Sequence, residues 1–517
     1  MVTHHPTHPR RRRHRTIAAL TAGLVAAGLV AASPAAAAQP ATAAPAIAAS
    51  TVPAGLAPAA AAPGAKPKIV VIATGGTIAG RANGRDTYTN YRAGTYPMAD
   101  MVGLLQPELS AFADVSVVQF GNKGSGGYTI PEFHDLTLAV EDALVDADGV
   151  VVTSGTDTME EFAYWLDLTV QSKKPVVMTG AMRPWAAGAT ASEATVLGAD
   201  GPANLLQSIR LAASQETYCF GTVLSLNDEV HAARDVTKGN STRNDTFTTR
   251  MSGVLGWVDG ADVIINRAPA RVLDCATNDW FTPFNLRTVG RDAVPRVEIF
   301  YNAQASGGES ITAWANAGVQ GVVTAGTGAG GISSAAGQAR TAAARDQGVW
   351  FVSTTRTGSG SVSGGSGNTI AGGDLLPQKA RLLLMLSRTF TTDVAVARGW
   401  FETLGTPTFD SSALADTVPP TPVAEPEPEP EPEPSGEPSA EPEPSGGAAL
   451  PGATDGPSPS GTAAGAGGTL PFTGGPGGTV GLIALIGALV LALGGVTYWQ
   501  HRRRLAVAGA TTEVVEA

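Results

Sequence analysis

The chain has 517 residues, 45 Asp and Glu against 34 Lys and Arg, a formal net charge of −11, and 43% hydrophobic residues. Such an acidic balance argues against nucleic acid as a partner, because polyanion binding depends on Lys and Arg neutralising phosphates. Away from the chain ends the only histidines and cysteines are His134, His231, Cys219 and Cys275, at spacings that suit neither a zinc site of three or four ligands nor a Ser-His-Asp arrangement, so no metal is expected.

Residues 10–15 are basic, residues 17–32 apolar, and Ala36-Ala37-Ala38 precedes Gln39, the pattern of a secretory signal peptide over residues 1–38. Residues 39–65 are nearly all Ala and Pro and read as a spacer with no core-forming side chains.

Residues 68–73, a β-branched run, predict a strand buried on both faces, as in a parallel sheet. The run feeds into Gly75 and Gly76, which supply the positive φ and close backbone approach of a tight turn that can expose Thr77. Such a turn can also cradle phosphate, but the lysine and glycine spacing of a P-loop or dinucleotide fingerprint are missing. A second strand, residues 149–153, runs through Ser154-Gly155-Thr156-Asp157 into a helix, where Thr158 and Glu161 predict a capping box. Thr156 and Asp157 therefore sit at the carboxyl end of a strand, where the loops of an open α/β sheet converge on one crevice. Later, residues 296–301, 321–325 and 349–352 read as strands, with an Ala-rich helix over 333–347, giving a smaller second α/β domain.

From residue 419 the composition turns to Pro, Glu, Ser, Gly and Ala, with strict Glu-Pro alternation over 425–434, a semi-stiff extended spacer. Leu470-Pro471-Phe472-Thr473-Gly474, an apolar run over 480–499 and Arg502-Arg503-Arg504 follow. That order resembles a cell-wall sorting signal, cut by a sortase between Thr473 and Gly474 for attachment to peptidoglycan. A plain C-terminal membrane anchor is the alternative, since about 20 apolar residues span a bilayer. The expected organisation is then a signal peptide (1–38), a spacer (39–65), a larger domain (66–270), a linker (271–294), a smaller domain (295–416), a wall spacer (417–469) and a sorting signal (470–517) with its transmembrane segment at 480–499.

Three further motifs join the two strand-turn units in order, Lys174-Pro175-Val176-Val177-Met178-Thr179-Gly180-Ala181-Met182-Arg183-Pro184, Asp200-Gly201-Pro202-Ala203-Asn204-Leu205 and Arg234-Asp235-Val236-Thr237-Lys238, followed by a late helix start at Leu376-Pro377-Gln378-Lys379-Ala380-Arg381; Thr89-Asn90-Tyr91 lies between the two units. Over roughly residues 66 to 405 this set resembles the bacterial type II L-asparaginases. The resemblance implies an α/β fold with a larger N-terminal doubly wound, flavodoxin-like domain and a smaller C-terminal α/β domain. It also implies a homotetramer, no cofactor, and hydrolysis of L-asparagine to L-aspartate and ammonia through a threonine acyl-enzyme. Thr77 and Thr156 match the family's catalytic threonines, Asp157 and Lys238 its Asp-Lys pair, and Tyr91 the tyrosine on a mobile loop near the first threonine. By the same resemblance Ser125, with Gly126 beside it, holds the substrate α-carboxylate, Asp157 its ammonium, and the backbone amides of Thr156 and Ala181 the oxyanion.

The chain departs from that pattern at four places. Ser154 stands where the family usually has His, and Gly126 where Gln often follows Ser. The link over residues 185–199 is longer than usual, and residues 358–368 are Gly- and Ser-rich where many members carry a glutamate that reaches a neighbour's site. L-glutamine as a second substrate, or a non-catalytic surface binding protein on the same scaffold, are the alternatives. Each residue also has a structural reading: Thr77 bonding its own turn, Thr156 and Asp157 capping a helix, Lys238 as a solvated charge and Tyr91 as a packing residue. Cys219 and Cys275 can pair in an oxidising compartment, but sequence does not show that their Cβ atoms meet.

Overall fold

A computed structural model describes residues 65–410; the expected signal peptide and spacer before them, and the expected wall spacer, Thr473, Gly474 and the apolar run after them, lie outside the described residues. In chain order the first part forms β1 (Lys68–Gly75), the ribbon strands β2 (Arg81–Ala82) and β3 (Tyr91–Arg92), α1 (Met98–Gly103), β4 (Asp114–Lys123), α2 (Ile130–Asp146), β5 (Gly149–Thr153), α3 (Met159–Thr169), β6 (Val176–Thr179), α4 (Gly201–Ser214) and β7 (Thr222–Leu226). Strands β4-β1-β5-β6-β7 lie side by side and parallel, the 2-1-3-4-5 order of a flavodoxin-like doubly wound sheet. Beyond β7 the sheet becomes mixed. β8 (Glu229–Ala232) returns antiparallel, β9 (Val236–Lys238) and β10 (Phe247–Thr249) pair outside the sheet, and β11 (Gly256–Asp259) with β12 (Asp262–Ile265) completes eight strands.

Continuous apolar runs serve here because both faces are covered. Ile69, Val71 and Val151 pack with Leu205 and Ile209 of α4, while the intervening Ile72, Val150 and Val152 pack with Phe133 and Leu136 of α2 and Phe162 and Trp165 of α3. Strand alternation sends successive side chains to opposite faces, and each large side chain so buried contributes about 1.5–3 kcal/mol.

The second part forms β13 (Val297–Tyr301), α5 (Glu309–Asn316), β14 (Gly321–Gly326), α6 (Ser334–Gln347), β15 (Trp350–Thr355), β16 (Thr369–Ala371), α7 (Pro377–Phe390) and α8 (Val394–Thr403), with its four strands parallel and in chain order. Ser333 caps α6, its side chain accepting from the Ala336 amide, and Pro377 opens α7, where a missing N–H costs nothing. The core of α2 and α3 continues through Leu382, Leu383 and Leu386 of α7 into this smaller sheet.

Three expectations are settled here. The capping box on α3 does not form: the Thr158 amide donates to Ser125 Oγ (3.2 Å), and Thr158 Oγ1 is buried without a hydrogen-bond partner among the described residues. Glu161 is drawn into the interior instead, where burial raises its carboxyl pKa and the charge of Arg381 opposes that rise. A capping box forms on α2, where Glu132 Oε2 accepts from the Thr129 amide at 2.9 Å. Cys219 and Cys275 are joined in a disulfide with Cα atoms 5.7 Å apart. Among the described residues the two histidines are buried: His134 Nε2 lies 3.1 Å from Leu286 O, and His231 Nδ1 2.9 Å from Thr249 Oγ1.

Lys379, at the start of α7, is fully buried and donates to the carbonyls of Ala233, Arg234 and Val236, fastening the smaller domain to the segment that leads into β9. Burial lowers its pKa to about 8, below the unfolded value of about 10.5. Between those values the unfolded chain binds more protons than the folded one, so this group makes stability rise with pH across that window. The unfolding free energy of the wild type relative to Lys379→Met is therefore expected to move in favour of the wild type from about pH 8 to about pH 10 in denaturant titrations. The opposite drift would mean that the ammonium is stabilised, not penalised, by its burial.

Candidate active site

Three turns at the carboxyl ends of the central strands pack backbone against backbone. Gly75 and Gly76 have φ of +102° and +82°, and a Cβ on Gly76 would overlap the backbone of Gly155. A Cβ on Gly155 would in turn sit 2.9 Å from the Ser125 amide nitrogen. Glycine at these positions is what lets the Thr77, Thr156 and Ser125 turns meet.

Thr77, 5% exposed, places Oγ1 2.7 Å from the Tyr91 hydroxyl on the β2–β3 ribbon. On the neighbouring turn Lys238 Nζ donates to Thr156 Oγ1 (2.9 Å) and to Asp157 Oδ1 (2.7 Å). The Thr156 hydroxyl is buried behind the lysine, whereas the Asp157 side chain is 84% exposed and free to meet a solute. Ser125 Oγ accepts from Thr158 and keeps its own hydrogen to donate. Gly126 has open space where a Cβ would be, so no steric demand excludes a side chain there. Ala181 is fully buried at the next turn, and neither its amide nor that of Thr156 donates to another group among the described residues. Asp157, Glu160, Lys238, Gly239, Asn240 and Ser241 line a recess at this edge. A larger cavity of about 730 Å³ around Arg234, Asp235 and Arg271 holds neither threonine, nor Asp157, nor Lys238.

Sequence reasoning missed the supports beneath these groups. Glu160, 7% exposed, accepts from the Lys238 amide (3.1 Å) and from Gln378 Nε2 (2.8 Å), so the smaller domain braces the lysine's backbone. The Asp200 carboxylate accepts from the amides of Met182 (2.8 Å) and Arg183 (2.9 Å), and Asn204 Nδ2 donates to Gly180 O (2.9 Å), shaping the Ala181 turn. Burial raises the Asp200 pKa, and the two amides oppose that rise. Asp200, Asn204 and Gln378 lay inside quoted motifs, but nothing in their spacing says what they touch. At the start of the Gly- and Ser-rich segment over 358–368, Gly358 lies beside the Arg250 guanidinium and the Gly360 amide is 3.4 Å from Met251 Sδ, both of the same chain.

The family described as Asparaginase, N-terminal, matches residues 68–271, and the Glutaminase/Asparaginase C-terminal domain matches residues 296–401. L-asparaginase 2 of Bacillus subtilis (strain 168) is 35% identical over 340 residues, 65% of this chain and 86% of that protein. The Glutaminase-asparaginase of Acinetobacter glutaminasificans is 33% identical over 344 residues, 65% of this chain and 99% of that protein. The crystal structure of a probable cytoplasmic L-asparaginase from Campylobacter jejuni superposes with a TM-score of 0.60 at 32% identity, covering 65% of this chain and 99% of that one.

Proposed function

This chain belongs to the asparaginase family, and from that premise we propose that it hydrolyses L-asparagine to L-aspartate and ammonia through an ester on Thr77. The observation that carries the reading is a pair of hydroxyls, each held by a proton-handling group other than histidine: Thr77 by the Tyr91 phenol and Thr156 by the Lys238 ammonium. In the first step Thr77 Oγ attacks the side-chain amide carbon while its proton passes through Tyr91 to the departing nitrogen, which leaves as ammonia. In the second, water adds to the aspartyl ester, the Thr77–carbonyl bond breaks, the hydroxyl of that water stays on the aspartate carboxyl, and its other proton passes to Thr77 Oγ. Lys238 lowers the proton affinity of Thr156, which orients the water. Asp157 holds the substrate ammonium and Ser125 its α-carboxylate. The amides of Thr156 and Ala181 take the oxyanion, an interaction commonly worth about 3 kcal/mol per donor. No cofactor enters these steps.

Ammonia release by the purified chain from asparagine and from glutamine tests the proposal. Turnover of asparagine is expected, and its absence would overturn the assignment. A relative named Glutaminase-asparaginase favours glutamine as a second substrate, which the same assay reads. We propose a homotetramer from the family resemblance, and the mass in light scattering tests it.

For location, the signal-like residues 1–38 and the disulfide support export to an oxidising compartment, and the order of features over 470–504 supports sortase attachment to peptidoglycan. Thr473→Ala is then expected to move the protein from the covalent peptidoglycan fraction to membrane or medium. Wild-type protein extracted from the wall by detergent alone would make the apolar run a membrane anchor instead.

A further inference from the structure

The long link after Arg183 is a hairpin: Ala187 N donates to Ala194 O (2.9 Å) and Val196 N to Trp185 O (3.1 Å). Its root is rigid, with Trp185 and Ala186 buried in the core beside Ile78 and Ala79 and the Trp185 amide donating to Gly80 O (3.2 Å). One side of this hairpin is joined to the ribbon that carries Tyr91. Ala82 N donates to Ala186 O (2.8 Å), Leu197 N to Arg85 O (2.8 Å), and Arg85 Nε to Thr195 O (3.0 Å). Arg183, which donates to Gly198 O (2.8 Å), stacks its guanidinium 4.6 Å over the Tyr88 ring, and the Tyr96 hydroxyl donates to Gly188 O (2.8 Å).

The ribbon has little of its own to hold it. Its ladder pairs Arg81 with Arg92 and Ala82 with Tyr91, with one more bond from Asn83 N to Asn90 O (3.2 Å); beyond it Gly94 N donates to Gly76 O (3.0 Å) and the Thr95 and Tyr96 amides to Ala79 O, and most of the residues between the two strands are exposed. A two-stranded ribbon of that length is not stable alone in water. Yet the Tyr91 hydroxyl must stay at hydrogen-bond distance from Thr77 Oγ1 to relay its proton, and reacting groups displaced by about 1 Å lose much of their effect. The bonds of Gly94, Thr95 and Tyr96 fasten only the leg after Tyr91, and the hairpin supplies the attachment along the leg before it, from Ala82 to Tyr88.

We propose that residues 185–198 form a strut that holds the Tyr91 ribbon against Thr77, with Arg85, Tyr88 and Arg183 as its positioning residues. The proposal rests on the reading of Tyr91 as the proton relay of Thr77. By this account the hairpin over residues 185–198 immobilises a ribbon that would otherwise leave the site on the nanosecond-to-microsecond timescale of free loops.

The test uses the full chain carrying Arg85→Ala with Tyr88→Ala. Both residues are exposed, so the core is untouched. The double variant is expected to lose about ten-fold in kcat/KM for asparagine, and the conservative pair Arg85→Lys with Tyr88→Phe, which keeps a donor and a ring, is expected to restore most of it. In a Tyr91→Phe background the same double variant is expected to cost less than about two-fold, because the strut acts only through that phenol. An equal loss in both backgrounds, or no loss in either, would overturn the proposal. Amide hydrogen exchange at Ala82 and Leu197, expected to speed up in the double variant, reads strut closure without turnover; unchanged exchange overturns the strut. If the wild type releases no ammonia, the functional reading fails while the exchange result still decides whether the strut exists.

Discussion

Thr77→Ala is expected to lower kcat for asparagine at least about 100-fold, and Thr156→Val to do the same, because each removes a group that acts in the transition state. The two variants differ in what they leave behind. Thr77→Ala takes away the nucleophile and leaves the Tyr91 hydroxyl facing an alanine methyl, with the Lys238 pair intact. Thr156→Val keeps shape and volume but leaves the ammonium with Asp157 alone. Both side chains lie in a rigid, largely buried floor, so the backbone geometry should hold and substrate binding should survive in both. A near-normal rate in either variant would remove that threonine from the mechanism. Single-turnover measurements separate them further: an ester that forms but does not break down in Thr156→Val would assign the second step to that residue.

Lys238→Met is expected to be as severe, at least about 100-fold in kcat, with little change in thermal stability. The stability argument follows from exposure. The partner Asp157 is 84% exposed, and ion pairs in contact with water contribute about 0–1 kcal/mol. The backbone of residue 238 stays fixed because its N–H donates to the Glu160 carboxylate. The catalytic argument follows from contact, since Nζ is 2.9 Å from the Thr156 hydroxyl and methionine offers neither charge nor donor. Activity of the variant is expected to recover in part at high pH, where bulk hydroxide substitutes for the lost effect on the hydroxyl's proton affinity. A variant that unfolds at lower temperature in proportion to its lost activity would make Lys238 a structural residue.

How far the site could be read ahead depended on how local each determinant was. The strand over β1 and the turn at Gly75 and Gly76 were legible because β-branching and positive φ are properties of single residues, and the order of strands and helices implied a parallel sheet. The Ala-rich helix over 333–347 was equally legible and forms as α6. The α3 capping box was misread because its Thr158 amide is claimed by Ser125, a residue 33 positions earlier, and no local signal records that competition. Thr77, Thr156, Asp157, Lys238 and Tyr91 could be named in advance from ordered motifs, yet their hydrogen bonds could not, since Thr156 and Lys238 are 82 positions apart.

By itself the sequence determined which segments become strands and helices, which turns require glycine, and which polar residues the carboxyl-end crevice has to offer. Tertiary structure alone decided that Cys219 meets Cys275, that Lys379 crosses between the domains to three carbonyls, that Glu160 carries the backbone of Lys238, and that the long link after Arg183 lies along the Tyr91 ribbon. The physical reason is the same for all four. Each depends on groups brought together by burial of the β-sheet cores against α3, α4 and α7, and the free energy of that burial is set by area and shape, which no short stretch of sequence encodes.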